Sequence, residues 1–185
     1  DQVPVYKIPV CAVLSTGKEL ASYHTKNLQS GMIRNSTAIY LKTALTHLGA
    51  KVAQVKTMGD EIEIFKKYLF ETLNSEIDIL VTTGAVSMGK FDFIAPTLKE
   101  VGGEILFHKV AIRPGKPILV AKIPRVGRNP LVIFGMPGNP ISSAVGFRFF
   151  LTPFFRELHG QMPEQALQLK LAQTTLKPEG LSCFY

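Results

Sequence analysis

No apolar run in this chain reaches the roughly 18 residues that a membrane-spanning helix needs,. The opening, DQVPVYKIPV, has neither the basic n-region nor the apolar h-region of a signal peptide,. It also lacks an initiator Met, which points to a chain that begins inside a longer protein or after processing. No membrane association is expected, and the expected compartment is the cytoplasm. Cysteine is scarce: Cys11 and Cys183 stand near opposite ends of the 185 residues. Cys11 lies in the apolar run IPVCAVL and reads as a small buried thiol in reducing surroundings. Neither cysteine has Cys or His partners at ligand spacing, which argues against a cysteine-based metal site. The four histidines, His24, His47, His108 and His159, lack a nucleophile partner and read as structural or exposed. The patterns GxxxxGK[ST], GxGxxG and GxSxG are all missing, so P-loop, dinucleotide-binding and α/β-hydrolase readings fail. Basic residues are in excess, with formal charge +7. Yet no basic run of five occurs and no aromatics interleave with the cations, so nucleic acid is not expected. Scattered Lys and Arg suit a small anionic substrate better.

What is present suits a packed domain. The chain is 46% hydrophobic and 19% charged, enough for a core and unlike a disordered chain. Short apolar runs alternate with segments of helical spacing. Strands are expected at 10–15, 51–57, 78–83, 104–110, 118–121 and 131–134. Helices are expected at 37–48, 61–73, 92–101 and 141–158, with Ser36 capping the first, Gly49 ending it, and Pro153 kinking or breaking the last. The polar stretch 21–31 reads as a loop or hairpin. This alternation implies an α/β fold, a three-layer α/β/α arrangement around a mostly parallel sheet. The pattern changes after Gly160. Residues 161–185, in which 165–175 alternate polar and apolar, read as the truncated start of a further β domain, because a lone strand cannot fold by itself.

In open α/β sheets, ligands bind beyond the carboxyl ends of the strands. Four loops fall there: STGKE, TTGAVSMGKFD, RPGKP and GMPGNPIS. Each supplies something an oxyanion needs. Glycines admit backbone N–H groups, Thr16, Thr83, Ser87 and Ser142 supply hydroxyls, and Arg113 and Lys116 supply charge. Asn139 and the helix that follows it supply a dipole end. Asp60 and Asp92 either hold Mg²⁺ with phosphate oxygens or cap the helices they precede.

Together, STGKEL, IRNS, MGD, TTGAVSMGKFD, FHKVAIRPGKP and FGMPGNPISS resemble the molybdopterin molybdotransferase family (MoeA, and the E domain of gephyrin). That family shows STGDEL, IRDSN, a following GxxxD, TTGGVSxGxxD, FxxVxxKPGKP and GLPGNPVS. The resemblance runs from about Val3 to Gly160, and LKLAQTTLKPEGLSCFY is similar to the start of the family's small C-terminal β domain. It implies a molybdopterin-binding (MogA-like) fold over 1–160. It also implies insertion of molybdate into adenylylated molybdopterin with release of AMP, assisted by Mg²⁺. Catalytic roles would fall to Arg113, Lys116, Asp92 and Glu19, and metal ligation to Asp60 and Asp92. Substrate would be held by Thr16, Gly17, Ser36, Thr83, Gly84, Ala85, Val86, Ser87, Gly89, Pro117, Pro137, Gly138, Asn139, Pro140 and Ser142. The resemblance further implies a homodimer, with a molybdopterin adenylyltransferase and molybdoenzymes as candidate partners. Two family acids are replaced, by Lys18 and Asn35. These replacements keep open a non-catalytic pterin- or nucleotide-binding paralogue, and a molybdopterin adenylyltransferase of the same fold is the other alternative.

Overall fold

The computed structural model describes residues 2–86, 93–170, 172–173, 175–176 and 178–184. In chain order the elements are β1 (Val10–Thr16), β2 (Leu20–Ala21), β3 (Ile33–Arg34), α1 (Ser36–His47), β4 (Lys51–Met58), α2 (Ile62–Leu73) and β5 (Ile79–Thr83). Then follow α3 (Ile94–Glu100), β6 (Glu104–His108), β7 (Ile112–Arg113), β8 (Leu119–Arg125) and β9 (Arg128–Met136). The C-terminal part holds α4 (Pro140–Gly146), a π-helical turn (Phe147–Leu151), α5 (Thr152–Leu158) and β10 (Ser182–Cys183).

Six strands form one sheet in the order β4-β1-β5-β9-β8-β6. The pairs β4/β1, β1/β5 and β5/β9 are parallel, while β8 runs antiparallel to both β9 and β6. A tight turn at Val126-Gly127, with Gly127 at φ 67°, joins β8 to β9. The central strands β1 (VCAVLST) and β5 (ILVTT) are buried almost throughout. This is what a parallel strand covered on both faces demands of its sequence. On one face Leu14, Leu80 and Ile133 meet Phe65 and Leu69 of α2 and Ile94 and Leu98 of α3. On the other, Val13, Val81 and Phe134 meet Leu41 and Leu45 of α1 and Phe147, Leu151 and Phe155 of the C-terminal helix. The α/β/α sandwich expected from the alternation of elements is therefore the observed one.

Several local expectations are corrected. Asn35, not Ser36, caps α1: its Oδ1 accepts the Ala38 N–H at 3.0 Å, and Ser36 is the first helical residue. Asn is as good a cap as Ser, and the chain turns one residue earlier than the apolar spacing suggested. Gly49 does end the helix, at φ 86° just past the C-cap Leu48. Asp60 is not a cap either; α2 starts behind Glu61, which makes no side-chain cap bond. Pro153 does not break the last helix. The Thr152 N–H bonds five residues back to Phe147 O, and the widened turn carries the helix past the proline,. The 21–31 segment carries no hairpin: Leu20–Ala21 pairs in parallel with Ile33–Arg34. In the tail, the described residues of 165–175 form no strand, and Leu167 and Leu169 are exposed. Instead Ser182–Cys183 pairs with Ile112–Arg113. An alternating pattern becomes a strand only where a neighbour offers a ladder, and Ile112–Arg113 offers one only to the last residues.

Cys11 is fully buried in β1, and burial, with Asp78 adding to it, pushes its thiol up to about 12. A thiolate is the reactive species, so Cys11 should resist alkylation at pH 8 in the native protein and react only on unfolding. Mass-spectrometric mapping of iodoacetamide labelling against denaturant should show Cys11 modified in step with the unfolding transition. Early labelling of Cys11 in the native protein would contradict this packing.

Candidate functional site

The parallel strands β1, β4, β5 and β9 all end at one edge of the sheet, and the antiparallel β8 begins there. The turn after Thr16, the turn after Met58, the turn after Thr83, the RPGKP loop and the Pro137–Pro140 segment therefore emerge side by side. Backbone bonds tie them together. The Gly17 N–H donates to Met58 O at 3.1 Å and the Gly84 N–H to Met136 O at 3.1 Å. Thr16 Oγ1 donates to Thr83 O at 3.2 Å, and Thr83 Oγ1 donates to Ser15 Oγ at 3.0 Å. Thr16 and Thr83 are buried, so these hydroxyls brace the strand ends from within instead of pointing outward as expected. The reason is register: Ser15 stands opposite Thr83 across two parallel strands, so these two buried hydroxyls meet and bond to each other,.

Gly84 closes the gap. A Cβ at this position would lie 2.5 Å from Thr16 O and 2.7 Å from Thr16 Oγ1, and its φ is +87°. Glycine is required on both counts. Gly138 approaches from the other side, its Cβ direction 3.7 Å from Gly84 Cα. Ala85 follows at φ 49°, and Val86 turns its side chain into the core. Of Val86, only backbone is offered to a ligand. Ser87, Gly89 and Asp92 lie outside the described residues.

The RPGKP loop is a compact turn. The Lys109 N–H donates to Ile118 O at 2.8 Å and the Val110 N–H to Lys116 O at 2.9 Å. The Arg113–Pro114 peptide is cis, and Gly115 sits at φ 110° with its Cβ direction 3.1 Å from Ile112 Cδ1. The tail holds the loop from outside, the Ser182 and Phe184 N–H groups donating to Ala111 O and Arg113 O. Arg113 and Lys116 are exposed, Pro117 half-buried. Among the described residues neither cation is engaged in an ion pair. Both remain available to an external anion.

The GMPGNP segment enters α4 through Asn139, whose Oδ1 accepts the Ser142 N–H at 3.1 Å. Pro140 stands at the first helical position, where a missing N–H is harmless,. Gly138, Asn139 and Pro140 are exposed, Ser142 half-buried and Pro137 buried. Ser143, which the sequence reading did not single out, is wholly buried and donates to Pro137 O at 2.5 Å. Only knowledge of which helix face meets the core would have found it.

The remaining positions lie nearby. Lys18 and Glu19 are exposed in the turn after β1, and Ser36 is exposed at the start of α1. Asn35 is buried, and its Nδ2 donates to Thr57 Oγ1 at 3.0 Å. It is a structural clamp between α1 and β4, with both ends of its amide engaged. Asp60 is half-buried beside the Gly17–Met58 tie. Among the described residues no group of three His, Cys, Asp or Glu side chains could hold a metal ion. A single carboxylate fits only the sparse mode in which Mg²⁺ takes one or two protein ligands plus substrate phosphates and water.

Comparison with known proteins agrees with this arrangement. Residues 12–157 match the family described as the probable molybdopterin binding domain. A molybdopterin molybdenumtransferase from Synechococcus elongatus is 38% identical over 185 residues, which is 100% of this chain and 45% of that protein. The structure of a molybdopterin biosynthesis MoeA protein from Pyrococcus horikoshii superposes with TM-score 0.70 at 29% identity, covering 83% of this chain and 36% of that one. The tungsten cofactor synthesizing protein MoaB from Pyrococcus furiosus shares the fold at TM-score 0.60 and 16% identity, covering 82% of this chain and 96% of that one. The chain thus spans less than half the length of the curated relative it matches throughout. With the match covering both faces of the sheet and the Thr16, Gly84, RPGKP and GMPGNP turns, the chain belongs to the molybdopterin-binding domain family.

Proposed function

We propose that this chain is the ligand-binding core of a molybdopterin molybdenumtransferase, a protein that inserts molybdate into adenylylated molybdopterin and releases AMP. The observation that supports it most is the meeting, at one sheet edge, of the turn that begins at Gly84 and a stiff loop whose two exposed cations, Arg113 and Lys116, make no ion pair among the described residues. In this reading the turn starting at Gly84 holds the phosphate of the adenylylated pterin, and Arg113 and Lys116 hold molybdate. Two unit anions 4 Å apart repel by about 4 kcal/mol at an effective dielectric of about 20. Two preorganised cations offset that repulsion without reorganising as charge moves, which is electrostatic preorganisation. The prolines of RPGKP keep the loop stiff and so lower the entropy lost on binding. Asp60, with phosphate oxygens of the substrate, would hold Mg²⁺, whose contribution when bound is further charge neutralisation. The same reading has the protein act in the cytoplasm as a homodimer within a longer chain. It would stand after a molybdopterin adenylyltransferase and before the molybdoenzymes that receive the cofactor.

The non-catalytic reading is favoured by one feature, Lys18, a cation where the family carries an acid. Asn35 no longer supports it, because its buried capping and Thr57 bonds account for an amide there.

Lys116→Ala should weaken molybdate binding by about 1.5–3 kcal/mol, the scale of a charge-assisted hydrogen bond. Calorimetric titration of molybdate into wild type and variant checks this, and equal affinities would remove the RPGKP loop from the site. Gly84→Ala should destabilise the protein by about 1–3 kcal/mol, because a Cβ has no room against Thr16,. It should also abolish AMP binding at concentrations that saturate the wild type. A variant that is as stable and binds AMP as well as the wild type would show that the turn is not closed as described.

A further inference from the structure

Among the described residues, two non-glycine residues have positive φ: Ala85 at 49° and Lys109 at 69°. Ala85 lies in the turn that begins at Gly84, and Lys109 stands at the base of the RPGKP loop, its N–H bonded to Ile118 O. A left-handed conformation costs an L-residue roughly 1–2 kcal/mol and persists only where neighbours over-determine it. At Ala85 the resembling family pattern, TTGGVS, has glycine, which carries no such penalty.

His108 stands between the two. Its ring Nε2 lies 3.0 Å from Val86 O, one residue beyond Ala85, and its backbone leads directly into Lys109. A carbonyl only accepts, so Nε2 carries the proton and the neutral ring is the Nε2–H tautomer. The turn is therefore pinned at both ends: the Gly84 N–H to Met136 O on one side, and Val86 O to the imidazole on the other. On the far side of His108, the Lys109 and Val110 N–H groups fold the RPGKP loop back onto Ile118 O and Lys116 O.

We infer that His108 is a positioning residue. Its imidazole holds the left-handed Ala85 turn and, through Lys109, fixes that turn relative to the RPGKP loop, so that the two anion sites are set together. This rests on the reading that those loops hold nucleotide phosphate and oxyanion. The ring acts through its bond to Val86 O.

The test has a part without ligand and a part with it. In the free protein, ¹⁵N chemical shifts of the His108 ring should report the Nε2–H tautomer, and an Nδ1–H tautomer would overturn the inference. His108→Ala should raise the unfolding constant, measured with urea, by about three- to tenfold, the scale of one neutral hydrogen bond. In the Ala85→Gly background the same substitution should cost more, because the strain whose release offsets the lost bond in wild type is no longer there. An equal cost in both backgrounds would overturn the link to Ala85. With AMP as the probe, His108→Ala should weaken binding by a similar factor. His108→Gln, which keeps a donor at the ε position, should restore it to within about twofold. Weakened binding by both variants alike would reduce His108 to packing. Failure of wild type to bind AMP would refute the nucleotide reading, and the tautomer and the urea cycle would still decide whether His108 holds the turn.

Discussion

The site depends on one close approach, that of Gly84 to Thr16. Two neighbouring parallel strands end at the same level, and the chain must leave both without a side chain in the gap. Gly84 permits this, and the Thr16–Thr83 and Thr83–Ser15 bonds lock the strand ends once it is made. The direction of the next two residues follows from it. Gly84 at φ +87° and Ala85 at φ 49° send the backbone across the sheet edge towards the end of β6, where His108 meets Val86. If Gly84 carried a Cβ, the turn would lift away from the sheet. The Met136 bond and the contact with Gly138 would be lost with it.

Much of this was legible in the sequence, for identifiable reasons. VCAVLS and the DILVTT run read as buried strands, because short continuous apolar runs ended by Thr and Gly suit a strand covered on both faces. The glycine and proline turns were visible because those residues are used where φ must be positive or fixed. What could not be read was which way a side chain faces. Thr16 and Thr83 were expected to offer hydroxyls to an anion, yet register turns both inward. Ser143 and His108 matter through contacts with residues at other points in the chain, and no local pattern marks them. Among the described residues of 165–175 no strand forms, because alternation describes a surface, whereas a strand needs a partner.

The two replaced acids now separate. Asn35 is a buried cap that also donates to Thr57, a role in which an amide serves at least as well as a carboxylate. Lys18 is exposed in the turn beside Glu19. A cation there adds to the positive field of Arg113 and Lys116 at the same sheet edge and favours anions generally. The excess of basic residues, uninformative as a sum, thus acquires a local meaning at this edge.

The most direct test of the central claim, that two anions are held side by side at this edge, is a crystal structure of the protein with AMP and tungstate bound. The anomalous signal of tungsten should place the oxyanion against Arg113 and Lys116, and the AMP phosphate should lie over the turn that begins at Gly84. Tungstate at any other surface, or AMP bound away from the carboxyl ends of β1 and β5, would contradict the account.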